Sequence, residues 1–298
     1  QPSRVIWISY DLWPNLIWEL EHQEIPQSLI SAIVHKDSPR TKNIFGRSFY
    51  KSIYDCLEHI LTVSDADRKR ILLSNPEHNK VKVMGEIRCD SVIERRANIK
   101  IPELPLTKKS IFVFIAASTW PKDEKCIFPG LKEALIKYPE LFLILAPHEP
   151  NDKNLKNAEN YFKNFKNQRF SKMESPNDLN RILLIDRVGV LAGLYHYAHM
   201  AFVGGAFTSG VHNILEPASM KSKIAFGPKY NNSREAVEMV QQKLAFSVNN
   251  STNFNKLLFD SLSNRNSCIE LGKKSCEYIE KQVGATDICV PYIMENIF

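Results

Sequence analysis

No apolar run in this 298-residue chain approaches the roughly 20 residues that a bilayer-crossing helix needs; the longest are Ile111 to Ala117 and Leu141 to Pro147. The six cysteines, Cys56, Cys89, Cys126, Cys268, Cys276 and Cys289, form no C-x-x-C pair. Neither a disulfide framework nor a zinc site is therefore signalled, and they read as reduced cytosolic thiols. On that reading the sequons at Asn231, Asn249 and Asn250 carry no sugar, since glycosylation needs a secretory route. No repeat of solenoid period is visible. An initial Met is also lacking: the chain starts at Gln1 and already reads as a buried strand at Val5 to Ile8, so it is expected to be a fragment.

What is present is ordinary for a globular protein, with 44% hydrophobic and 24% charged residues, and the length suits two domains. The net charge of +6 favours anionic partners such as a membrane surface, a phosphorylated lipid or a nucleic acid. Lys and Arg are spread along the whole chain, however, which is the pattern of a solvated surface. The basic stretch Asn151 to Asn167 carries Tyr161, Phe162 and Phe165 at helical spacing and reads as an amphipathic surface helix. It lacks the aromatic-basic interleaving of a single-strand binder, so no nucleic-acid partner is expected.

Strand and helix patterns alternate along the chain. Val5 to Ile8 reads as a strand, followed by a helix with Pro14 in its first turn and Leu16, Ile17 and Leu20 at helical spacing. A strand at Gln27 to Val34, a helix at Phe45 to Glu58, a strand at His59 to Val63, a helix at Asp65 to Ser74 and a strand at Lys80 to Met84 follow. After a proline- and lysine-containing stretch the pattern restarts, with strands at Ile111 to Ala116, Leu141 to Ala146, Arg181 to Ile185, Met200 to Val203, Ile224 to Phe226 and Leu244 to Val248. Helices are expected at Cys126 to Tyr138, Val190 to Ala198, Ile214 to Met220 and Ser233 to Gln242, and from Asn253 onward. Such alternation predicts an α/β fold of two Rossmann-like domains with parallel sheets. The expected division is 1–98, with its opening strands missing, a linker over 99–109, a second domain over 110–282, and a terminal helix over 283–298 that packs back on the first domain.

The stretch around which the chain reads as organised is MAFVGGAFTSGVHNILEPASMKSKIAF, from Met200 to Phe226. Gly204 and Gly205 permit a tight turn after a strand, and a helix resumes at Ile214. Free N–H groups at a helix N-terminus, with glycines before them, would make an anion site there. His212, Asn213 and Glu216 have the spacing to share the face at the helix start. Spacing alone leaves open the plainer reading, a strand-to-helix turn with an ordinary cap.

FVGGAFTSGVHNILEPA, with LAGLYHYAHM before it and FGPKYNNSREAVEMV after it, resembles the C-terminal half of the Kdo transferases. These enzymes move 3-deoxy-manno-octulosonic acid (Kdo) from CMP-Kdo onto lipid A precursor. The resemblance implies a GT-B glycosyltransferase acting at the cytoplasmic face of the inner membrane. It also implies inverting transfer without a cofactor, and without a bound metal, the chain being read as having no Asp-x-Asp pair. It places the donor against four loops: Ser118, Thr119 and Trp120 in ASTWPKDE; Pro147 and His148 in PHEP; Asp186, Val188 and Gly189 in IDRVGVL; and Gly204, Gly205, His212, Asn213 and Glu216. Glu216 would accept hydrogen bonds from a ribose diol, and His212 and Asn213 would face the sugar-phosphate junction. Capping remains the alternative for Ser118 and Thr119, and a helix-dipole role for Glu216.

The N-terminal half resembles the same family through YDLWPNLI, SAIVHKDSPR and VMGEIRCD. Asp11, Lys36 and Arg40 would line the acceptor cleft, the cations meeting lipid phosphates or the Kdo carboxylate. Asp11 stands where the family more often has Glu, and Glu86 and Arg88 where it more often has Asn and Lys. The family's general base, a glutamate, is expected upstream of Gln1, so no catalytic base is assigned. Competing readings are a GT-B enzyme using a UDP or GDP sugar, a nucleotide-sugar epimerase, or a nucleotide-binding fragment without catalysis.

Overall fold

The computed structural model describes residues 2–36, 38–106, 111–175 and 179–294. The chain divides into two compact units, Gln1–Ser91 with Gln282–Phe298, and Val92–Lys281. The first contains β1 (Val5–Ile8), α1 (Pro14–His22), β2 (Gln27–Ala32), α2 (Pro39–Lys42), α3 (Ile44–Asp55), β3 (His59–Thr62), α4 (Asp65–Leu72) and β4 (Val81–Val83). Its four strands pair in parallel in the order β1-β2-β3-β4. Sequence-local signals set the helix starts. Pro14 and Pro39 occupy first-turn positions, while Asn43 and Ser64 accept the N–H groups of Gly46 and Asp67.

The division between the units falls inside α5 (Ile87–Asn98), a helix that sequence periodicity had not marked. The linker expected over 99–109 lies later than this, and residues 107–110, where it ends and the second domain was expected to begin, are outside the described residues.

The second unit continues with β5 (Phe112–Thr119), α6 (Pro121–Lys137), β6 (Leu141–Pro147), α7 (Asp152–Tyr161), β7 (Asn167–Arg169), β8 (Ile182–Leu184), α8 (Leu191–Leu194), β9 (Met200–Val203), α9 (Leu215–Ser219), β10 (Lys223–Phe226), α10 (Arg234–Gln241), β11 (Ala245–Ser247), α11 (Ser251–Ser263) and α12 (Arg265–Glu280). The seven strands form one sheet in the order β11-β10-β9-β5-β6-β8-β7, every described pair parallel. Central β5 is buried on both faces, which is why it reads as an unbroken apolar run. Phe112, Phe114 and Ala116 enter one core layer, and Val113, Ile115 and Ala117 the opposite one, as the period-2 geometry of a strand requires. The last helix, α13 (Ala285–Met294), belongs to the first unit, where Ala285 and Cys289 pack with Ile30, Leu61 and Met84.

Three elements differ from expectation for identifiable reasons. The second strand stops at Ala32 rather than Val34, because Ser31 adopts a left-handed φ of 50° and the β2–β3 register shifts between Leu29 and Ala32. The expected helix over Asn151 to Asn167 ends at Tyr161: Phe162 is fully buried against Phe128, and the chain turns inward to deliver it before the polar edge strand β7. Residues 121–124, expected in a loop, are the first turn of α6, started by Pro121.

Candidate functional site

All four loops predicted in the second unit follow the carboxyl ends of parallel strands, namely β5, β6, β8 and β9. These strands are consecutive in the sheet in the order β9-β5-β6-β8, so their loops emerge side by side. Ligands of open α/β sheets bind at that edge.

The loops after β5, β6 and β9 meet in a cluster of rings. His148 stacks on His212 with centroids 4.3 Å apart and planes 10° apart, and on Trp120 at 4.6 Å and 28°. Trp120 Nε1 donates to His212 Nε2 at 3.0 Å, a distance that puts both rings on the same face of His148. Indole N–H can only donate, so Nε2 is the unprotonated nitrogen of His212 and the neutral ring carries its proton on Nδ1. Burial and the neighbouring His148 lower the His212 pKa, outweighing the opposite pull of Asp123.

Beneath this cluster lies Asp123, a fully buried carboxylate in the first turn of α6. Its Oδ2 accepts the backbone N–H of Trp120 at 2.8 Å and that of Gly205 at 2.9 Å. Burial pushes its pKa up, against the opposing effect of the Gly205, Trp120 and Phe207 amides and of His212. Neighbouring Glu124 is also raised by burial and accepts the Thr119 hydroxyl at 3.0 Å.

The anion cradle expected at the glycines is not formed as predicted. Gly204 donates its N–H to Ala117 O at 2.8 Å, and the Gly205 N–H is held by Asp123, so both amides are spent within the fold. The glycines instead serve close approach. A Cβ at Gly204 would lie 2.2 Å from Ser118 O, and Gly205 has a φ of +93° with the His212 ring directly over it. The helix after this loop begins only at Leu215, so His212 and Asn213 precede it and only Glu216 lies on it. Asn213 Oδ1 accepts the Leu215 N–H at 3.0 Å, a capping bond. At the end of β5, Ser118 has a φ of 50° and the β5–β6 register shifts between Ala117 and Thr119. Thr119 O accepts the His148 N–H at 2.9 Å, fixing the start of the PHEP loop just after Pro147.

Glu216 and Gly189 line a separate cleft of about 460 Å³, with Arg95, Ile99, Leu191 and Ala192. Arg95 Nη1 donates to Glu216 Oε1 at 2.9 Å. Gly189, with φ +90°, has nothing within 4 Å of where a Cβ would stand, and Val188 beside it is 83% exposed. Asp186 turns instead toward Ser171, accepting both its N–H, at 2.9 Å, and its hydroxyl. Partial burial pushes the Asp186 pKa up, but the Ser171 bonds prevail and hold it below the ordinary value.

In the first unit, Arg40 Nη2 donates to Tyr10 O at 3.1 Å and its guanidinium lies 4.7 Å over the Tyr50 ring, while Asp11 and Lys36 are exposed. Tyr50 continues into Phe49 and Trp18 through edge-to-face contacts at 5.5 and 5.9 Å. At the start of α3, Ile44 is 76% and Phe45 82% exposed. Glu86 and Arg88 pair with each other through two bonds of 2.9 Å.

Comparison with known proteins gives these geometries a context. A family model described as 3-deoxy-D-manno-octulosonic-acid transferase (kdotransferase) matches residues 1–91. The 3-deoxy-D-manno-octulosonic acid transferase of Haemophilus influenzae is 28% identical over 307 residues, covering 100% of this chain and 71% of the relative. That of Rickettsia felis is 28% identical, covering 90% and 57%. A bifunctional glycosyltransferase/methyltransferase of Fusobacterium nucleatum is 27% identical, covering 90% and 42%. The chain is thus similar to Kdo transferases, through the family model over residues 1–91 and through relatives along its whole length.

Solved structures carry the fold. The C-terminal CMP-Kdo binding domain of WaaA from Acinetobacter baumannii aligns with a TM-score of 0.53 at 22% identity, over 63% of this chain and 97% of that one. UDP-GlcNAc 2-epimerase from Neisseria meningitidis aligns with a TM-score of 0.67 at 13% identity, over 99% and 76%. The first supports a Rossmann-like nucleotide-binding unit, and the second, along nearly the whole chain, the GT-B class of two such units. The chain spans from 42% to 71% of the length of the three relatives above.

Three residues of the site are not marked by sequence pattern: Asp123, Glu124 and Arg95. Asp123 lay inside the quoted loop ASTWPKDE, and its spacing three residues after Trp120, just behind Pro121, is the N3 acid of a capping box. Glu124 had no separate signal, and Arg95 sits on a helix whose periodicity was not recognised. An Asp-x-Asp triplet does exist, contrary to expectation, at Asp65-Ala66-Asp67. Asp65 pairs with Lys69 at 2.7 Å, and Asp67 accepts the Val34 N–H at 3.0 Å and the Ser64 hydroxyl, so the two carboxylates are engaged in different local bonds.

Proposed function

We propose that this chain is the donor-binding and acceptor-binding portion of an enzyme that transfers Kdo from CMP-Kdo to a lipid A precursor such as lipid IVA. The observation that carries the reading is the edge of the second unit's sheet, where the segment after β9 places the Glu216 carboxylate in a cleft and the neutral imidazole of His212 against the loops after β5 and β6. Glu216 in the cleft suits a ribose diol, and the open backbone at Val188 and Gly189 suits the edge of a pyrimidine. His212, with its proton on Nδ1, is a hydrogen-bond donor for the phosphate of CMP, supported by Ser118, Thr119 and Asn213 in adjoining loops. In the transfer the acceptor hydroxyl attacks the anomeric carbon, the bond from that carbon to the CMP phosphate oxygen breaks, and the hydroxyl proton passes to a carboxylate base. Direct displacement inverts the anomeric centre, and hydrogen bonding to the departing CMP takes the place of a protein-bound metal or cofactor.

For the acceptor, the Tyr10–Arg40–Tyr50–Phe49–Trp18 chain of contacts and the exposed Ile44 and Phe45 join aromatic surface to cations. Lys36 and Lys42 are close in sequence, and Asp11 adjoins Tyr10. Such a face suits a phosphorylated lipid at the cytoplasmic face of the inner membrane better than a nucleic acid. The test is binding of CMP, by calorimetry, and of lipid IVA, by co-sedimentation, to the chain. Saturable binding of both supports the reading, and a folded chain that binds neither contradicts it. The fold likeness to a UDP-GlcNAc epimerase keeps a UDP-sugar reading as the alternative, which a preference for UMP over CMP would favour.

A further inference from the structure

We propose that Asp123 is the positioning residue of the imidazole site, fixing His212 as an Nδ1–H donor by binding the backbone of Trp120, whose indole meets the ring, and that of Gly205, in the turn that holds the His212 N–H. The bonds form a closed circuit. From Asp123 Oδ2 one path runs through the Trp120 N–H to the indole, whose Nε1 donates to His212 Nε2 at 3.0 Å. The other runs through the Gly205 N–H to the glycine pair, where Gly204 O accepts the His212 N–H at 3.1 Å. Gly205 O in turn accepts the Thr208 and Gly210 N–H groups at 2.9 and 3.1 Å, so the turn that leads to His212 is organised about the residue that Asp123 grips. The ring then lies over Gly205, where an added Cβ would come within 2.8 Å of His212 Cδ2.

Helix capping alone would use one of these bonds, the one to Trp120. The second bond leaves the helix and ties the β9 loop to the start of α6, and its acceptor is a carboxylate removed from solvent. A group that costs desolvation to bury, and whose bonds run to two different loops, fixes those loops relative to each other. The consequence is chemical. With Nε2 committed to Trp120, the imidazole offers its one proton on Nδ1, the form a phosphate oxygen needs. That last step rests on the proposed nucleotide reading; the positioning itself does not.

The test is the tautomer signature of His212 in ¹⁵N-histidine NMR spectra of the whole chain, assigned with His212→Gln and His148→Gln and recorded without nucleotide. The wild-type chain is expected to show one fixed Nδ1–H form. Asp123→Ala, which removes both bonds, and Asp123→Glu, which misplaces the carboxylate, are expected to show averaged tautomers. Asp123→Asn keeps an acceptor oxygen in place and is expected to restore the fixed form. If Asp123→Ala does not fold, Asp123→Glu decides. A fixed Nδ1–H form that persists unchanged in the folded Ala or Glu variant overturns the proposal. A chain that shows the expected pattern yet binds no CMP contradicts the nucleotide reading and leaves the positioning role standing.

Discussion

At the scale of single residues, His212 combines a half-buried imidazole, a stacked His148 ring and a fixed indole donor, all of which resist its protonation. Its folded pKa lies below the ordinary value, so the folded chain binds fewer protons than the unfolded one in the interval between the two. The associated stability is full above about pH 6.5 and is lost as pH falls through that interval toward the folded pKa. His212→Gln is expected to flatten this loss, read as a smaller drop in urea midpoint between pH 7.5 and pH 5.5. An unchanged drop would mean that another group governs acid sensitivity.

Glycine at 205 answers to two constraints at once, a left-handed φ and a Cβ position 2.3 Å from Gly210 O. Gly205→Ala is therefore expected to destabilise the second unit by at least about 1–3 kcal/mol, a backbone-strain magnitude, and to shift the thermal midpoint downward. A midpoint equal to wild type would show that the turn relaxes freely.

At the scale of elements, legibility followed the source of each element's stability. Strands buried on both faces announced themselves as apolar runs: Met200 to Val203 has the bounds expected, and β5 and β6 differ from expectation only at their ends. β7 has no apolar signal, because Asn167, Gln168 and Arg169 form a polar edge strand whose side chains are only half-buried. The loops of the candidate site were readable as loops, since glycine pairs and Pro-containing turns follow strands. Their internal bonding was not readable, because the bonds that spend the Gly204 and Gly205 amides run to Ala117 and Asp123, more than eighty residues away in sequence. The Arg95–Glu216 pair is of the same kind, two charges on separate helices brought together only by the fold.

At the scale of the whole molecule, the basic balance and the aromatic surface of the first unit belong to one expectation, attachment to an anionic lipid face. In the proposed attachment, the net charge of +6 would supply long-range attraction, which salt screens, and the exposed Ile44 and Phe45 would supply apolar insertion, which salt does not. The double variant Ile44→Glu with Phe45→Glu is expected to lose most co-sedimentation with vesicles containing anionic lipid while leaving the fold intact. Retained binding at high salt by that variant would assign attachment elsewhere.

Nucleotide choice tests the central claim most directly. Calorimetric titration of CMP, UMP and AMP into the chain is expected to show CMP binding above the other two, weakened at least about tenfold, or about 1.4 kcal/mol, by Glu216→Ala. A folded chain that binds none of the three, or binds CMP equally well without the Glu216 carboxylate, would contradict the donor site described for it.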